Sequence, residues 1–568
     1  MATFQQHLQE KGYLTADQIK AIKKEQASTR NSTFYGLVKK NKMLPDDQLI
    51  DIACKFFNYQ RIENAFELEV DFTATKKVAR DIFKAIDLRI FICKSKQKGE
   101  LICVLDDPEN ESIKEKATST LGASIKFALI TDEDFEIVHD YKLVPQAIND
   151  QSDKVQVNDK AGSHRNNSRL GSSNTQDLIA MLINSALQHR ASDLHLQPIT
   201  DDLAQVVLRI DGKLHHHSTI RAETLPNLRN VLKRLAEVGG ESEDLPVEGQ
   251  MQVPYRGKML DVRINIIKSI LGHDFNLRFI DSSLKELTEL GLTESNYESY
   301  QRLLHMTKGL ILICGPTGSG KTSLLYAGFK EMLANNRAIS TIEDPVEIVL
   351  PGVTQMEVKP EKQMTYEKLF PSVLRHDPDV IGIGEVRSAE VADQTVQAAN
   401  TGHLVFTTIH TNDALGAIPR IVGLGVDPYM LGDVLSAVIA QRLVRRVCTH
   451  CEKIYPLDKN SPWRIRYGLG NGRVMLKKGK GCAACAGTGY LGRIAVNEIL
   501  IATPKVREAI QKNATRYEME KILKSEGYQT YLEDAIEKAK QGITTFDDVD
   551  ELYYDYPGAD SVLKTKTK

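Results

Sequence analysis

Long apolar runs and a large charge excess are both missing from this sequence. No hydrophobic stretch among its 568 residues approaches the roughly 18 residues that a membrane-spanning helix needs. The polar start MATFQQHLQEKG lacks the apolar region of a secretory signal peptide, so we expect a cytoplasmic protein. The formal net charge of -2 argues against a strong overall attraction to nucleic acid, although it leaves room for local basic patches.

Cysteine is also scarce, and its distribution argues against a disulfide framework. Four of the eight cysteines are scattered, and the other four form two Cys-x-x-Cys pairs. Such usage is typical of a reducing compartment. Two such pairs, about thirty residues apart, offer four thiolates to a tetrahedral zinc ion and leave no ligand position open for water. We therefore predict a structural zinc site formed by Cys448, Cys451, Cys482 and Cys485.

Length and composition divide the chain into several regions. Residues 1–140 combine a helical repeat, up to about residue 55, with a small α/β subdomain of short strands. Residues 141–174 are rich in Asp, Asn, Ser, Gln, Lys and Gly, so we expect a flexible linker there. Residues 175–285 have the pattern of a second α/β domain, and residues 286–568 form a further domain.

Three adjacent histidines, His215 to His217, follow the Asp211–Gly212 turn of a predicted hairpin. Neighbouring residues on a strand point to opposite faces, so three consecutive side chains do not converge on one metal ion. We interpret this run as a solvated strand end.

The segment GPTGSGKT matches the Gly-x-x-x-x-Gly-Lys-[Ser/Thr] phosphate-binding loop in full. An apolar run, 309–314, precedes it as a predicted strand, and residues 323–333 follow as a predicted helix. Backbone amides at such a helix start bind phosphate, the lysine reaches the β- and γ-phosphates, and the hydroxyl ligates Mg²⁺. We therefore predict that ATP and Mg²⁺ are bound by Gly315, Pro316, Thr317, Gly318, Ser319, Gly320, Lys321 and Thr322.

Three further apolar runs end in polar side chains. The first ends at Glu343 and Asp344, the second at Glu385 and the third at His410. In open α/β sheets ligands gather at the carboxyl ends of the strands, so we expect these side chains to converge on the phosphates.

Several segments resemble motifs of the ATPases of type II secretion and type IV pilus assembly. IEDPVE, LRHDPDVIGIGEVR and TGHLVFTTIHTNDA resemble that family's Asp box, Walker B segment and His box, and ASDLHLQP (191–198) and RIDGKL (209–214) resemble its second N-terminal domain. The resemblance spans about residues 175–555, in the family's order. It implies a multidomain α/β protein with a RecA-like P-loop ATPase core, a preceding α/β domain, a zinc-binding insertion at about 440–495, C-terminal helices and a separate N-terminal α/α+β module.

The resemblance implies a role for each matching residue. Lys321 and Thr322 hold phosphate and magnesium. Glu343 helps to position the attacking water, and Glu385 acts as the base or as a ligand in the metal shell. His410 senses the γ-phosphate. These roles fit phosphoryl transfer, which needs positioning and charge neutralisation more than covalent help from the protein.

The resemblance also implies that arginines of the preceding domain reach the phosphates when that domain closes over the nucleotide. The candidates are Arg209, Arg263 and Arg278, each with ordinary strand-surface arginine as the alternative interpretation. Val207 and Gln250 stand where relatives often have further arginines, which weakens any exact assignment of an arginine finger.

Quaternary structure and partners follow from the same resemblance. It implies a homohexamer at the cytoplasmic side of the inner membrane, working with a membrane platform protein and a cytoplasmic adaptor. The cysteine pairs, with GTGYLGR (487–493) after them, match assembly and secretion members, whereas retraction ATPases lack the insertion. Ser388 replaces a common aspartate after the Walker B segment, where serine can cap a helix equally well.

The N-terminal repeat resembles the cyclic-di-GMP-binding module of some pilus ATPases. Its expected Arg-Leu-Gly opening is missing, because the repeats begin ATFQQHL and STFYGLV. Without the arginine that would stack on the ligand and neutralise it, cyclic-di-GMP binding is not favoured.

Three functions remain open at this point. A pilus assembly ATPase is preferred because of the long N-terminal module, and a type II secretion ATPase shares every motif. A nucleic-acid motor is the third, since basic residues surround the cysteine pairs, but the region has few aromatic residues for base stacking and no nucleic acid is expected. The basic residues in question are Arg442, Arg445, Arg446, Lys477, Lys478 and Lys480.

Overall fold

The computed structural model describes residues 3–559 except 30–31, 63–64, 66–67, 96–99, 153–169, 239–244, 282 and 471. These residues form two compact units. The first comprises residues 1–280 with the short segment 481–487, and the second comprises residues 281–480 and 488–568. In the part of the chain so described, no helix is both long and apolar enough to cross a membrane.

The first unit begins with the predicted helical repeat. Its four helices are α1 (Phe4–Glu10), α2 (Ala16–Ser28), α3 (Phe34–Lys40) and α4 (Asp46–Phe57). The hydroxyls of Thr3 and Thr33 accept backbone N–H hydrogen bonds and so cap the first helix of each repeat. Phe4 and Phe34 follow these caps and are buried in a common core.

A five-stranded sheet follows the repeat. Its strands, in the order β1-β5-β4-β3-β2, are β1 (Gln60–Arg61), β2 (Glu69–Val70), β3 (Ile90–Lys94), β4 (Leu101–Leu105) and β5 (Lys126–Leu129). The neighbours β1, β5 and β4 are parallel, whereas β3 is antiparallel to β4 and β2. The helices around this sheet are α5 (Phe72–Ala79), α6 (Ile82–Asp87), α7 (Glu111–Leu121) and α8 (Asp132–Val138).

The predicted linker, 141–174, is wrong at its N-terminal end and at its last five residues, 170–174, which lie in the helix Leu170–Gln188. A π-helical turn and α9 (Val144–Ser152) occupy its N-terminal end. Ala147 and Ile148 are buried, and Ile148 belongs to the core of the following domain. The polar composition concealed a short amphipathic helix whose few apolar residues share one face. Residues 153–169 of the predicted linker lie outside the described residues.

The following domain has a six-stranded antiparallel sheet in the order β8-β7-β6-β11-β10-β9. Leu194, Leu208 and Leu277 lie side by side on one face of this sheet and belong to the core that also includes α10 and α11. The opposite face carries polar side chains. The elements are α10 (Leu170–Gln188), β6 (Ala191–Pro198), β7 (Leu203–Ile210), β8 (Lys213–Arg221), α11 (Leu225–Leu235), β9 (Val247–Tyr255), β10 (Lys258–Ser269) and β11 (Gly272–Ile280).

The histidine run lies on β8 with alternating exposure, and His217 is partly buried. His216 is exposed, whereas the His217 ring lies 3.0 Å from the Ser185 hydroxyl and packs edge-on against His189. Burial, with the charges of His189 and His216, lowers the pKa of His217 to about 3. The interpretation as a solvated strand end is therefore wrong for His217, because Ser185 on α10 and the ring of His189 contact its imidazole.

The second unit is built on a seven-stranded sheet in the order β14-β13-β15-β16-β12-β17-β20. Every neighbouring pair is parallel except β17 and β20. The elements up to β17 are α12 (Glu294–Leu304), β12 (Gly309–Cys314), α13 (Lys321–Ala334), β13 (Ile339–Glu343), β14 (Val353–Glu357), α14 (Tyr366–Leu374), β15 (Val380–Ile383), α15 (Ala389–Asn400), β16 (Leu404–Ile409), α16 (Ala414–Gly423), α17 (Pro428–Val434) and β17 (Leu435–Val447).

A small hairpin and four terminal helices complete this unit. The hairpin pairs β18 (Glu452–Pro456) with β19 (Met475–Gly479), and α18 (Pro462–Arg466) lies between them in sequence. The last elements are β20 (Tyr490–Ile501), α19 (Pro504–Gln511), α20 (Arg516–Ser525), α21 (Tyr531–Lys540) and α22 (Phe546–Asp555). Separate apolar cores cover the two faces of the large sheet, so its central strands are completely buried.

Candidate nucleotide site and cysteine cluster

The phosphate loop has the predicted strand before it and the predicted helix after it. β12 is buried along its whole length and ends at Cys314, and α13 begins at Lys321. Gly318 and Gly320 have φ angles of 76° and 84°, in the left-handed region that favours glycine. A Cβ atom at Gly320 would lie only 2.7 Å from the Gln441 side chain, so no larger residue fits at this position. The glycines thus leave a concave loop, here called the cradle.

Lys321 lies inside this cradle. Its side-chain amine donates to the carbonyls of Gly315 and Pro316, at 2.7 and 3.1 Å. Burial lowers the pKa of this amine, and the charge of Arg442 adds to the effect, whereas Glu385 and Glu347 oppose it. Phosphate oxygens would restore the charge balance around the amine. The donor set therefore fits a nucleotide phosphate.

Glu385 and His410 meet at the ends of two neighbouring strands. Glu385 follows β15, His410 follows β16, and the His410 Nε2 atom lies 3.3 Å from a Glu385 carboxylate oxygen. The other oxygen accepts a 2.8 Å hydrogen bond from Arg387. Burial by itself would raise the pKa of Glu385, but Arg387, His410 and Lys321 together hold it below its usual value. Glu385 is therefore a carboxylate at neutral pH.

Glu343 lies at the end of β13 and is only 6% exposed. One oxygen accepts from the Tyr326 hydroxyl, and the other accepts from Thr341 and Gln355 at 2.6 and 3.0 Å. These three donors fix the direction of the carboxylate. They were not predicted from the sequence, because they lie on three separate elements, α13, β13 and β14. Four parallel strand ends thus carry the loop, Glu343, Glu385 and His410 at one edge of the sheet.

The three candidate arginines lie in one row across the six-stranded sheet. Arg209 is opposite Asp193, Asp193 is opposite Arg278, and Arg278 is opposite Arg263. Asp193 is 3% exposed, and it accepts from Arg278 at 2.8 Å and lies 3.6 Å from Arg209. Gln250 extends the row at Arg263. We call Arg209, Arg263 and Arg278 the arginine row. Asp193 is the buried carboxylate that pairs with two of them, and its role was not predicted from the sequence.

The four predicted zinc ligands gather in one cluster. Their sulfur atoms all lie within 4.8 Å of one another, and none of these residues is more than 9% exposed. The Cys482 and Cys485 sulfurs are 3.7 Å apart. A tetrahedron with metal–sulfur bonds of about 2.3 Å has edges of about 3.8 Å, so the donor set fits Zn²⁺.

Three of the six basic residues near the cysteines are buried or paired within the protein. Arg442 is buried, Arg445 pairs with Asp548 and lies over the Tyr490 ring, and Lys477 pairs with Glu452. Half of the proposed phosphate-backbone contacts are therefore occupied within the protein. This observation weakens the interpretation as a nucleic-acid motor.

Ser388 caps the helix after Glu385, as the sequence predicts. It is the N-cap of α15, and its hydroxyl accepts a 3.3 Å hydrogen bond from the Val391 amide. The exchange from aspartate therefore preserves the helix start beside the candidate site.

Comparison with known proteins identifies the family. The family described as "Type II/IV secretion system protein" matches residues 169–551, more than half of the chain. The chain belongs to this family. With its complete phosphate loop, it is an ATPase.

Individual relatives carry two different names. The chain is similar to "Type IV pilus assembly ATPase PilB" of Thermus thermophilus, with 36% identity over 385 residues, 67% of this chain and 43% of the relative. It is similar to "Type II secretion system protein E" of Pectobacterium carotovorum, with 32% identity over 474 residues, 79% of this chain and 91% of the relative. The names include both pilus assembly and type II secretion.

A solved structure shares the fold. The Legionella pneumophila ATPase DotB matches with a TM-score of 0.51 and 19% identity, over 69% of this chain and 98% of that protein. At this identity the likeness concerns the fold alone. It agrees with the predicted RecA-like core.

Proposed function

We propose that this chain is the hexameric ATPase that drives pilin polymerisation in type IV pilus assembly. The observation that carries the proposal is the meeting of the phosphate loop, Glu385 and His410 at one edge of a parallel sheet in a member of this family. A motor of this kind works at the cytoplasmic face of the inner membrane with a platform protein and a cytoplasmic adaptor.

Each side chain of the site has a task in hydrolysis. Lys321 leaves the loop carbonyls and neutralises charge on the β- and γ-phosphates. Glu385, held ionised by Arg387, accepts a proton from the attacking water, or would contribute to the ligand shell of Mg²⁺. His410, 3.3 Å away, reports the presence of the γ-phosphate to this carboxylate. Thr322 would hold Mg²⁺, which supplies charge neutralisation when bound.

Glu343 acts as a fixed acceptor that orients water. Its carboxylate is held by three donors, so its position does not depend on the nucleotide. The arginine row adds positive charge to the transferring phosphoryl group when its domain closes. The cysteine cluster would hold a structural zinc ion, since four thiolates leave no position for water.

A type II secretion ATPase is the second candidate. The alignment with the Pectobacterium carotovorum protein favours it, because that alignment covers 91% of the relative. The two functions use the same hydrolytic site and differ in the polymer assembled. Nucleic acid is not an expected ligand, and cyclic-di-GMP is not a favoured one.

A deletion strain separates the two candidates. Complementation with the parental gene should restore surface pili and pilus-dependent motility, and complementation with Lys321→Ala should not. Restored export of secreted enzymes without any change in pili would instead establish the secretion function. If neither phenotype depends on the gene, both proposals fail.

A further inference from the structure

β17 runs beyond the end of its neighbour β12. The last paired residues are Cys314 and Ala440, and β17 continues to Val447 while the β12 chain turns into the phosphate loop. Gln441 and Arg442 therefore lie beside the phosphate loop on this side of β17, while β20 pairs with them on the other side. Neither residue belongs to a phosphate-binding motif.

Gln441 supports the phosphate loop directly. It is 1% exposed, and its side-chain amide donates a 2.8 Å hydrogen bond to the Ser319 carbonyl. A Cβ atom at Gly315 would lie 2.6 Å from the Gln441 carbonyl, and one at Gly320 would lie 2.7 Å from its side chain. Gln441 thus lies against the phosphate loop at both Gly315 and Gly320.

Arg442 links this support to the strand end that carries His410. Its guanidinium is almost fully buried, since the residue is 6% exposed. One nitrogen donates to the Gln441 carbonyl at 3.1 Å, and another donates to the Asn412 carbonyl at 2.6 Å. Asn412 is two residues beyond His410. The planar guanidinium of Arg442 therefore connects Gln441, which contacts the phosphate loop, with the loop that follows β16.

The charge of Arg442 has no carboxylate partner within 4.0 Å in the described residues. The guanidinium instead lies over the Tyr531 ring, 5.1 Å from its centroid. A buried cation without an ion pair is costly and creates a positive potential in its surroundings. A Cβ atom at Gly315 would lie 3.2 Å from its nearest nitrogen, so this potential extends to the phosphate loop.

We propose that Arg442 is a positioning residue for ATP hydrolysis. It holds the loop that carries His410 at a fixed position relative to the phosphate loop. It touches no reacting atom and acts through two backbone carbonyls. The inference rests on the proposed roles of Lys321 and His410. Nucleotide binding requires mainly the phosphate loop, whereas turnover requires both loops at the correct relative position. Arg442 therefore affects kcat more than nucleotide affinity.

Three variants test this assignment. Arg442→Met removes both the charge and the two hydrogen bonds, and Arg442→Lys keeps the charge but loses the planar fork. Arg445→Met is the control, because Arg445 lies on the same strand and binds Asp548 on α22 instead of the phosphate loop. Steady-state hydrolysis, ADP affinity and thermal unfolding are measured for each variant.

The expected pattern separates positioning from general damage. Arg442→Met should lower kcat at least tenfold and change the ADP Kd less than about threefold. Arg442→Lys should bind ADP like the parent while kcat stays at least threefold reduced, and Arg445→Met should hydrolyse within twofold of the parent.

Two results would overturn the assignment. One is a kcat for Arg442→Met no lower than that of Arg445→Met. The other is full recovery of kcat in Arg442→Lys, which would make the charge alone responsible. If Arg442→Met does not fold, the lysine variant decides. Lys321→Ala in the same series reports separately on the phosphate loop, since its full activity would contradict the proposed site itself.

Discussion

The phosphate site and the arginine row carry positive charge in different ways. At the phosphate site Lys321 and Arg442 are 9% and 6% exposed, and both donate to backbone carbonyls. In the arginine row the side chains of Arg209 and Arg278 are 36% and 51% exposed and share the carboxylate of Asp193. The first set is buried within the fold, whereas the second is more exposed and must exchange the buried Asp193 carboxylate for another anion in order to move.

This difference separates two contributions to hydrolysis. A buried, hydrogen-bonded group is already beside the nucleotide site before the substrate arrives, so it needs less reorganisation than an exposed one. An exposed arginine must be ordered when it engages a phosphate, so part of its interaction energy is offset by lost side-chain entropy. We therefore expect larger losses of activity at the phosphate site than in the arginine row.

The largest effect is expected at the phosphate site itself. Lys321→Ala removes the charge partner of the β- and γ-phosphates, so kcat should fall at least about 10³-fold, or about 4 kcal/mol. Glu385→Gln should still bind nucleotide but should not turn over. Hydrolysis by purified enzyme and binding of a fluorescent nucleotide measure the two effects. Parental turnover by Glu385→Gln would show that this carboxylate has no chemical role.

The cysteine cluster should give the next largest effect. Replacing Cys451 or Cys482 by Ser should reduce zinc from one ion per chain to none, and the segment between the pairs should become protease-sensitive. Metal analysis and limited proteolysis measure both changes. Cys54→Ser is the matched control, because Cys54 is equally buried but lies outside the cluster. Native protein without zinc would rule out the site.

Single alanine variants of the arginine row sharpen the comparison. At least two of the three should lower kcat about tenfold or more, about 1.4 kcal/mol, with a much smaller change in nucleotide Kd. We expect the strongest effect at Arg278. Lys258→Ala, an exposed cation on the same β10 strand as Arg263, should leave kcat unchanged. Light scattering checks that each variant forms the same assembly as the parent.

The arginine prediction has a clear contrary result. Near-parental kcat in all three variants would refute a closing domain that delivers these arginines to the phosphates. A common loss of affinity and kcat would instead indicate uniform binding of ground state and transition state.

The smallest effect concerns pH and a buried carboxyl beside the site. Glu498 on β20 accepts the amides of Ala414 and Tyr531, at 2.7 and 3.1 Å, and burial raises its pKa to about 7. A raised pKa means that the folded state favours the protonated form. This contribution to stability is complete below the unfolded value near 4.5 and is lost as pH rises through about 7.

Glu498→Gln should therefore flatten the pH dependence of unfolding. As pH rises from about 5.5 to about 8, the free energy of unfolding of the variant should increase relative to that of the parent by on the order of 1 kcal/mol. Urea unfolding at the two pH values measures the change. Glu508→Gln, at a fully exposed position, is the control. A constant difference between parent and variant would show that Glu498 does not titrate in this range.

Local patterns explain what sequence reasoning predicted well. The phosphate loop, the strands before Glu385 and His410, and the Ser388 cap each depend on residues within one strand–turn–helix unit. Such units show in the sequence because spacing and apolar periodicity encode them locally. The cysteine pairs belong to the same class, since thiolate spacing is a short-range signal.

Composition was a weaker guide where a few residues decided the outcome. The segment after residue 141 looked like a linker, yet the burial of Ala147 and Ile148 makes its first part a helix. His217 looked solvated, yet Ser185 and the ring of His189 contact it. In both cases a neighbouring element supplied the apolar or hydrogen-bonding partner, and composition does not record neighbours.

The sequence by itself determined that this chain has a phosphate loop, strand-end acids and a histidine, candidate arginines and four clustered thiols. Only the tertiary structure decided how these groups are held. Asp193 joins two arginines across neighbouring strands, three donors from separate elements orient Glu343, and Arg442 lies under a loop more than 100 residues earlier in the chain. Sheet register and strand order bring these partners together, and both arise from long-range packing rather than from local spacing.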